Sequence, residues 1–268
     1  MGMALPRFGL ARATAPWRTA LAGAVLGLAL GTVVFAPATW LAAAVSAASN
    51  QQVSLANAQG SIWQGSSQLV LSGGLGSGQA MALPGQIHWQ MHPAWAGLRI
   101  AVSADCCARQ PLQLQASVTG FNAVRLVLAN GQSQWPAGLL AGLGTPWNTV
   151  QPQGQLVTTN QDVSVEWAPG RMRLSGRVQV DALQMSSRLS TLTPMGSYRV
   201  TLQGGPEPSL QLVTLDGSLQ LSGQGQWIGQ RLRFTGMASA EPERVEALSN
   251  LLNIVGRRDG ARSIITVG

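Results

Sequence analysis

The chain has 268 residues and a mass of 28.0 kDa, with 46% hydrophobic but only 10% charged residues. Soluble domains average about 25% charged residues, so this composition argues against an ordinary cytosolic enzyme, and intrinsic disorder needs the opposite balance. All 17 basic residues are arginine and the net charge is +7, as in some nucleic-acid-binding proteins. The arginines are dispersed, however, with the densest stretch at Arg171, Arg173 and Arg177, and aromatic residues do not alternate with them. We therefore predict no nucleic-acid partner.

The N-terminus has the pattern of a membrane anchor. Arg7, Arg12 and Arg18 precede an uncharged stretch over residues 19–45, which exceeds the roughly 20 apolar residues that a spanning helix needs. Arginines on one flank only predict a cytoplasmic N-terminus over residues 1–18 and a domain outside the cytoplasmic membrane over residues 46–268. A signal peptide cleaved near residues 42–47 is the alternative, but its apolar region usually has about 7 to 15 residues. We predict an uncleaved transmembrane helix.

The two cysteines, Cys106 and Cys107, are adjacent. Neighbouring Cα atoms lie about 3.8 Å apart, which is shorter than the usual span of a disulfide. An ordinary structural disulfide within the chain is therefore not expected, and a strained vicinal disulfide or an intermolecular bridge remain alternatives. The prediction is that both are loop residues without a role, and that packing and sheet hydrogen bonds hold the fold.

From Val53 onward, apolar residues alternate with Gln, Ser, Thr and Arg, as in Ile87-Trp89-Met91. A period of two with one apolar face indicates half-buried antiparallel strands. Asn130-Gly131 and Asp216-Gly217 are hairpin signals. The pattern predicts a mainly β fold with a large, strongly curved antiparallel sheet, of half-barrel or groove-like form. Four tryptophans occupy strand positions and are predicted to pack in the core rather than to form a sugar platform: Trp63, Trp89, Trp167 and Trp227.

Helical patterns are few. Residues 135–147 predict a short helix or apolar loop over the sheet, and Ser187 to Leu192 a second short helix ended by Pro194. The clearest helix runs from Pro242 to Val255, with glutamates near its start and Gly256 placed as a C-cap. Its apolar stripe comprises Val245, Leu248, Leu252 and Val255. A last strand is predicted over residues 262–267.

No catalytic constellation is present in the sequence. His88 and His92 share a strand face, so a metal pair is geometrically feasible, but no carboxylate flanks them. Asp162 and Glu166 are interpreted as a solvated pair. We predict no catalytic, metal-binding or cofactor-binding residues and no cofactor.

The most distinctive polar motif follows the predicted C-terminal helix. Two interpretations apply to Arg257, Arg258, Asp259 and Arg262. In the first they form a turn in which Asp259 pairs with an arginine. In the second they are a docking surface for another protein or for lipid headgroups.

Three stretches carry a family resemblance: residues 58–65 (AQGSIWQG), residues 192–199 (LTPMGSYR), and residues 247–260 (ALSNLLNIVGRRDG) closing on 262–268 (RSIITVG). Taken in this order, they resemble the type II secretion system protein N family, also called general secretion pathway protein N, over nearly the whole chain. The residues that match the family's motifs are Gly60, Trp63, Gly65, Pro194, Gly196, Tyr198, Arg199, Asn250, Gly256, Arg257, Arg258, Asp259 and Gly260.

This resemblance implies a single-pass inner-membrane protein with a periplasmic domain, acting as a non-enzymatic accessory component in the export of folded proteins. The implied partners are other type II secretion proteins of the inner membrane, with the outer-membrane secretin as a further candidate. The anchor, the Gly-x-x-Trp-x-Gly strand start and the long alternating strands are also similar, more weakly, to AsmA-like membrane-anchored proteins. That similarity implies an open, lipid-binding β-groove as the alternative.

Overall fold

The computed structural model describes residues 17–74, 80–95, 97–120, 122–229 and 231–268. The chain divides into two compact units, residues 1–36 and residues 37–268. Most of the predicted cytoplasmic segment, residues 1–18, lies outside the described residues.

The single helix predicted over residues 19–45 is wrong, because two helices occupy this stretch. They are α1 (Trp17–Val34) and α2 (Ala38–Ala48). Pro37 precedes α2 in an extended conformation, with φ −72° and ψ 152°. Proline has no N–H to donate and disfavours a helical residue before it, which explains the break. Within the described residues, no helix combines the length and the apolar character that a membrane crossing requires.

Residues 37–268 form one antiparallel sheet of 16 strands, which confirms the predicted mainly β fold. The first eight strands are β1 (Val53–Gly60), β2 (Gln64–Ser72), β3 (Ala80–Ala82), β4 (Ile87–Ala94), β5 (Gly97–Ala104), β6 (Ala108–Gly120), β7 (Ala123–Leu128) and β8 (Gly131–Pro136). The second eight are β9 (Gln153–Ala168), β10 (Arg171–Ser186), β11 (Gly196–Gln203), β12 (Ser209–Gly217), β13 (Leu219–Ile228), β14 (Arg231–Ala240), β15 (Arg257–Asp259) and β16 (Arg262–Val267). The last of these matches the strand predicted there.

The sheet is open. Its strand order is β1-β2-β4-β5-β6-β7-β9-β10-β11-β12-β13-β14-β16-β15, with β3 also paired to β2 and β8 to β9. Both terminal strands have features that discourage the addition of another strand. β15 has only three residues and carries Arg257 and Asp259, and β1 shifts register between Ala56 and Gln59.

One face of the sheet, here the packed face, carries both hydrophobic clusters. Directly opposed residues of antiparallel strands share a face, and the pairs Leu156–Ala182 and Ala182–Tyr198 place this row on the packed face. The first cluster consists of Ala137, Met185, Met195, Tyr198, Leu219, Ala238, Leu248, Leu251 and Leu252. The second consists of Leu83, Ala104, Cys107, Ala108 and Leu139. The opposite face, the polar face, carries mainly Gln, Ser, Thr and Arg.

The predicted C-terminal helix is confirmed in its position. A 3-10 turn over Pro242–Arg244 leads into α4 (Val245–Val255), whose Leu248, Leu251 and Leu252 are buried in the first cluster. Gly256 follows the helix, but its φ of −171° and ψ of −178° are extended rather than left-handed. The predicted C-cap at Gly256 is therefore confirmed, in an extended conformation. Glycine is required there because a side chain would meet the carbonyl of Ile264.

The other helix predictions had mixed outcomes. Over residues 135–147, a 3-10 helix (Ala137–Leu143) contributes to both clusters, as predicted for a covering element, and is followed by α3 (Trp147–Val150). The short helix predicted at Ser187 to Leu192 is wrong, because this stretch forms turns. The Ser187 hydroxyl accepts from the Leu189 amide at 3.2 Å, and such local bonds compete with helix formation.

One of the two hairpin signals was correct. β12 and β13 are paired neighbours joined at Asp216-Gly217, whereas β8, which begins at Gly131, pairs with β9 and not with β7. Asn130 bonds to Asp162 instead: its Oδ1 accepts from the Asp162 amide at 2.6 Å, and its Nδ2 donates to Oδ1 of Asp162 at 3.2 Å. Asp162 has a φ of +50°. It marks the point where β9 changes partner from β8 to β7.

Cys106 and Cys107 form a vicinal disulfide, with Cα atoms 3.7 Å apart. The predicted loop position is confirmed, but the prediction of no role is wrong, and the alternative of a bond between neighbours is correct. The bond lies in the turn between β5 and β6, and Cys107 belongs to the second hydrophobic cluster.

The burial of α4 predicts an asymmetry within the helix. Leu252 is 0% exposed and Ile254 is 42% exposed. We expect Leu252→Ala to lower the free energy of unfolding by about 2–5 kcal/mol, because it leaves a cavity in the first cluster. Ile254→Ala should cost less than about 1 kcal/mol. Urea unfolding of the full chain followed by tryptophan fluorescence measures both, and equal effects would contradict the assigned packing.

Candidate functional site

The predicted docking motif forms a tight hairpin at one end of the sheet. Arg257 lies opposite Ile264 and Asp259 opposite Arg262, with Gly260 in the turn at a φ of +60°. Arg257, Asp259 and Arg262 are exposed. The predicted turn is therefore confirmed, whereas in the described part of the chain the ion pairs involve residues other than Asp259. These three side chains form the docking hairpin surface.

Arg258 differs from the other three residues because it faces the packed side of the hairpin. It is half-buried opposite the fully buried Ser263. Its Nε donates to the Gly260 carbonyl at 2.7 Å, and its Nη1 is buried without a hydrogen-bond partner among the described residues. Ser263 Oγ donates to the Leu252 carbonyl at 2.6 Å. This bond satisfies one of the orphan carbonyls at the end of α4 and fastens the hairpin to the helix.

The second family stretch packs against the third. Tyr198 is buried in the same cluster as Leu248, Leu251 and Leu252 of α4. Burial raises the pKa of the Tyr198 hydroxyl, which has no hydrogen-bond partner among the described residues. Gly196 lies under it, since a Cβ at that position would come within 2.8 Å of the hydroxyl. Pro194 follows a cis peptide bond. Tyr198 and Gly196 therefore act in packing. Asn250, by contrast, is exposed on α4 beside Arg188.

Arg199 forms the strongest ion pair of the described structure. Its Nε and Nη2 donate to the two carboxylate oxygens of Asp181 at 2.7 and 2.9 Å. Gln179 donates to the same carboxylate at 3.1 and 3.2 Å. The hydrogen bonds from Arg199 lower the pKa of Asp181 despite its partial burial. No local pattern in the sequence reveals the pair of Asp181 and Arg199, because the two residues become neighbours only through the register of β10 with β11.

The first family stretch forms a turn held by a tryptophan. Gly60 pairs with Gly65, and a side chain at Gly65 would occupy the space of the Trp89 ring. The Trp89 indole N–H donates to the carbonyls of Ser61 and Ile62 at 3.2 and 3.1 Å. The carbonyl of Trp63 accepts from the Met91 amide at 2.6 Å. This stretch lies on β1 and β2, far along the strand order from the other two.

An exposed apolar row crosses four neighbouring strands of the packed face. Val118 pairs with Val124, Val124 with Trp167, and Trp167 with Met172. Their side chains are 67%, 42%, 66% and 69% exposed in that order. The prediction of core packing is thus correct for the buried Trp89 and wrong for Trp167, while Trp63 and Trp227 are half-buried. A contiguous exposed apolar patch often marks an interaction site.

The remaining polar candidates make local contacts. His88 Nε2 lies 3.1 Å from Asp105 Oδ1. The hydrogen bond from the Gln86 amide lowers the pKa of Asp105, and His88 lowers it by a smaller amount. Glu166 lies 3.5 Å from Arg125, so the solvated pair of Asp162 and Glu166 is not formed. Among the described residues, no three potential ligands cluster around a point that could hold a metal ion.

These contacts define a class of β-sheet domain in which the motif residues build turns, packing contacts and an exposed hairpin. The chain belongs to the type II secretion system protein N family: the family model described as "Type II secretion system (T2SS), protein N" matches residues 51–265. This match confirms the resemblance and covers all three stretches except the last three residues of the final one. Neither the curated proteins nor the solved structures gave a match.

The Asp181–Arg199 pair predicts a pH-dependent contribution to stability. We expect Asp181→Asn to lower the free energy of unfolding by about 1 kcal/mol at pH 7, since Arg199 is partly solvated. Because the folded pKa of Asp181 lies below its unfolded value, this contribution is present above about pH 4 and disappears as the pH falls through the folded pKa.

Denaturant titrations between pH 7 and pH 3 measure this difference. Glu166→Gln is the matched control, because its pair with Arg125 is about half exposed on both sides. A difference between the parent protein and Asp181→Asn that stays constant down to pH 3 would contradict the assignment.

Proposed function

We propose that this protein is an accessory, non-enzymatic inner-membrane component of the type II secretion system. In this role it supports the export of folded proteins across the outer membrane through contacts in the periplasm. The observation that carries the proposal is the family match over residues 51–265. Other secretion-system proteins of the inner membrane are its proposed partners, and the outer-membrane secretin is a further candidate.

The proposed topology places residues 1–18 in the cytoplasm, residues 19–45 in the inner membrane and residues 46–268 in the periplasm. The uncharged stretch and the three arginines before it support this orientation. The Cys106–Cys107 bond also supports it, because disulfides persist in oxidising compartments such as the periplasm.

The docking hairpin surface is the proposed contact site. β15 is short and charged, so it is poorly suited to adding a partner strand. Docking therefore uses the side chains of Arg257, Asp259 and Arg262. Charges at the rim of an interface mainly set specificity and the rate of association. Residues of both signs on one small hairpin suit a partner with a matching alternation of charges.

In-cell photo-crosslinking tests the proposed contact. A photoreactive residue replaces Arg257 in the full chain, expressed in cells with an active secretion system. We expect secretion-system proteins in the crosslinked products, because the side chain projects into solvent at the sheet edge. The same replacement at Arg173, exposed on the central strand β10, is the matched control. Identical products from both positions, or products lacking secretion-system proteins, would argue against the docking site.

A second candidate function is lipid binding, favoured by the exposed apolar row. The row exposes four apolar side chains on the packed face, whereas Arg171 and Arg173, next to Met172 in the sequence, lie on the opposite, polar face. An exposed row of apolar side chains suits the acyl chains of a phospholipid. This role would make the contribution to secretion indirect.

Native mass spectrometry of the full chain tests lipid binding. We expect phospholipid to remain bound after mild detergent removal, and the bound fraction to fall about tenfold in the double variant Trp167→Gln, Met172→Gln, because the row loses its apolar character. Ile228→Gln is the control, since Ile228 is 56% exposed on β13, away from the row. Equal lipid retention in all three proteins would exclude the apolar row as the binding site.

A further inference from the structure

The turn between β5 and β6 holds a disulfide whose two sulfurs have different surroundings. Cys106 is exposed, whereas Cys107 is 8% exposed and packs with Leu83 and Leu139 in the second hydrophobic cluster. One cysteine of the pair therefore faces solvent and the other faces the interior. This asymmetry is independent of the secretion-system role.

Two sets of hydrogen bonds hold the turn on either side of the disulfide. Before it, the Asp105 carboxylate accepts from the Gln86 amide at 3.0 Å, and the Asp105 amide donates to the Gln86 carbonyl at 3.1 Å. After it, the Cys107 carbonyl accepts from the Gln134 amide at 3.0 Å. The Gln134 bond joins the turn to β8, next to Trp135, which packs against the same cluster.

We propose that the Cys106–Cys107 bond is a thiol–disulfide exchange site that reacts at Cys106 with a dithiol reductant and controls the attachment of the turn to β8. A thiolate attacks a disulfide sulfur from the side opposite the leaving sulfur, and the rate depends on access to that side. Solvent reaches Cys106, whereas the equivalent approach to Cys107 is covered by the apolar cluster.

The exchange is balanced in two steps. The first thiolate of the reductant attacks Sγ of Cys106, a mixed disulfide forms, and Cys107 leaves as a thiolate that takes a proton from water. The second thiolate of the reductant then attacks the reductant's own sulfur in the mixed disulfide and releases Cys106, which is also protonated. The reductant is oxidised to a disulfide and the protein gains two thiols.

Reduction opens the small ring that the disulfide closes with the peptide bond between Cys106 and Cys107. Asp105 keeps its bonds to Gln86, so the first half of the turn stays in place. The second half loses the constraint of the ring but keeps the bond from the Cys107 amide to the Ala104 carbonyl at 3.1 Å. The bond between Cys107 and Gln134 is the contact that the loss of the ring weakens. The turn between β5 and β6 is therefore the part of the sheet that responds to the redox state.

Glutathione, a monothiol, traps the mixed disulfide and tests the point of attack. The full chain in mild detergent is incubated with reduced glutathione, quenched with acid, alkylated and digested with trypsin. The arginines at positions 99 and 109 bound a peptide that contains both cysteines, and fragmentation between them locates the adduct. We expect glutathione on Cys106 at least about tenfold more often than on Cys107.

Three outcomes would overturn the proposal: an adduct mainly on Cys107, equal labelling of both, or no adduct until denaturant is added. Two free thiols in the untreated protein would overturn it as well. The single variants provide a second measurement. The remaining thiol in Cys107→Ser should react with an aromatic disulfide reagent at least about tenfold faster than the remaining thiol in Cys106→Ser.

Hydrogen exchange tests the structural consequence. On reduction we expect the Gln134 amide to exchange at least about tenfold faster. The Leu219 amide, which donates to the Met195 carbonyl at 3.1 Å in the first cluster, is the control and should be unchanged. Unchanged exchange at Gln134 would show that the disulfide does not control the attachment of the turn to β8. Faster exchange at both amides would show general destabilisation, which also contradicts the proposal.

Discussion

An open antiparallel sheet satisfies its backbone hydrogen bonds strand by strand, but it buries side chains only where other elements cover a face. In the described part of residues 37–268, the elements that cover the two clusters are α4, the 3-10 helix at Ala137–Leu143, α3 through Val150, and loops. The two clusters lie under these elements. Where the cover ends, alternating apolar residues continue along the same strands and become exposed, as at Trp167 and Met172. The partial cover therefore explains both the core and the apolar row.

The three family stretches have different positions relative to this cover. The stretches at residues 192–199 and 247–268 meet in the first cluster through Tyr198 and the leucines of α4. The stretch at residues 58–65 forms a separate turn around Trp89. Most of the motif residues thus act in packing, turn geometry or pairing. The exposed motif residues with polar side chains are Asn250, Arg257 and Asp259, and the last two belong to the proposed contact site.

Local patterns in the sequence predicted those elements whose determinants are local. The period of two located most strands, and the apolar stripe with Pro242 located α4. Features that depend on residues distant in the sequence could not be predicted in this way. Asn130-Gly131 resembles a hairpin, but Asp162, 32 residues later, satisfies Asn130 and lets β9 change partner. Trp167 fits a core strand position, yet its exposure depends on where the covering elements stop, which no local pattern contains.

The proposed contact site and the core are structurally connected. The Arg257, Asp259 and Arg262 side chains project from a hairpin whose other side is fixed by Arg258 and by the bond from Ser263 to the end of α4. The same helix fills the first cluster. A hairpin already fixed in place loses little conformational freedom on binding, so more of the contact energy remains available for affinity. Because β15 is short and charged and so poorly suited to strand addition, this rigidity favours the proposed recognition by side chains at the edge of the open sheet.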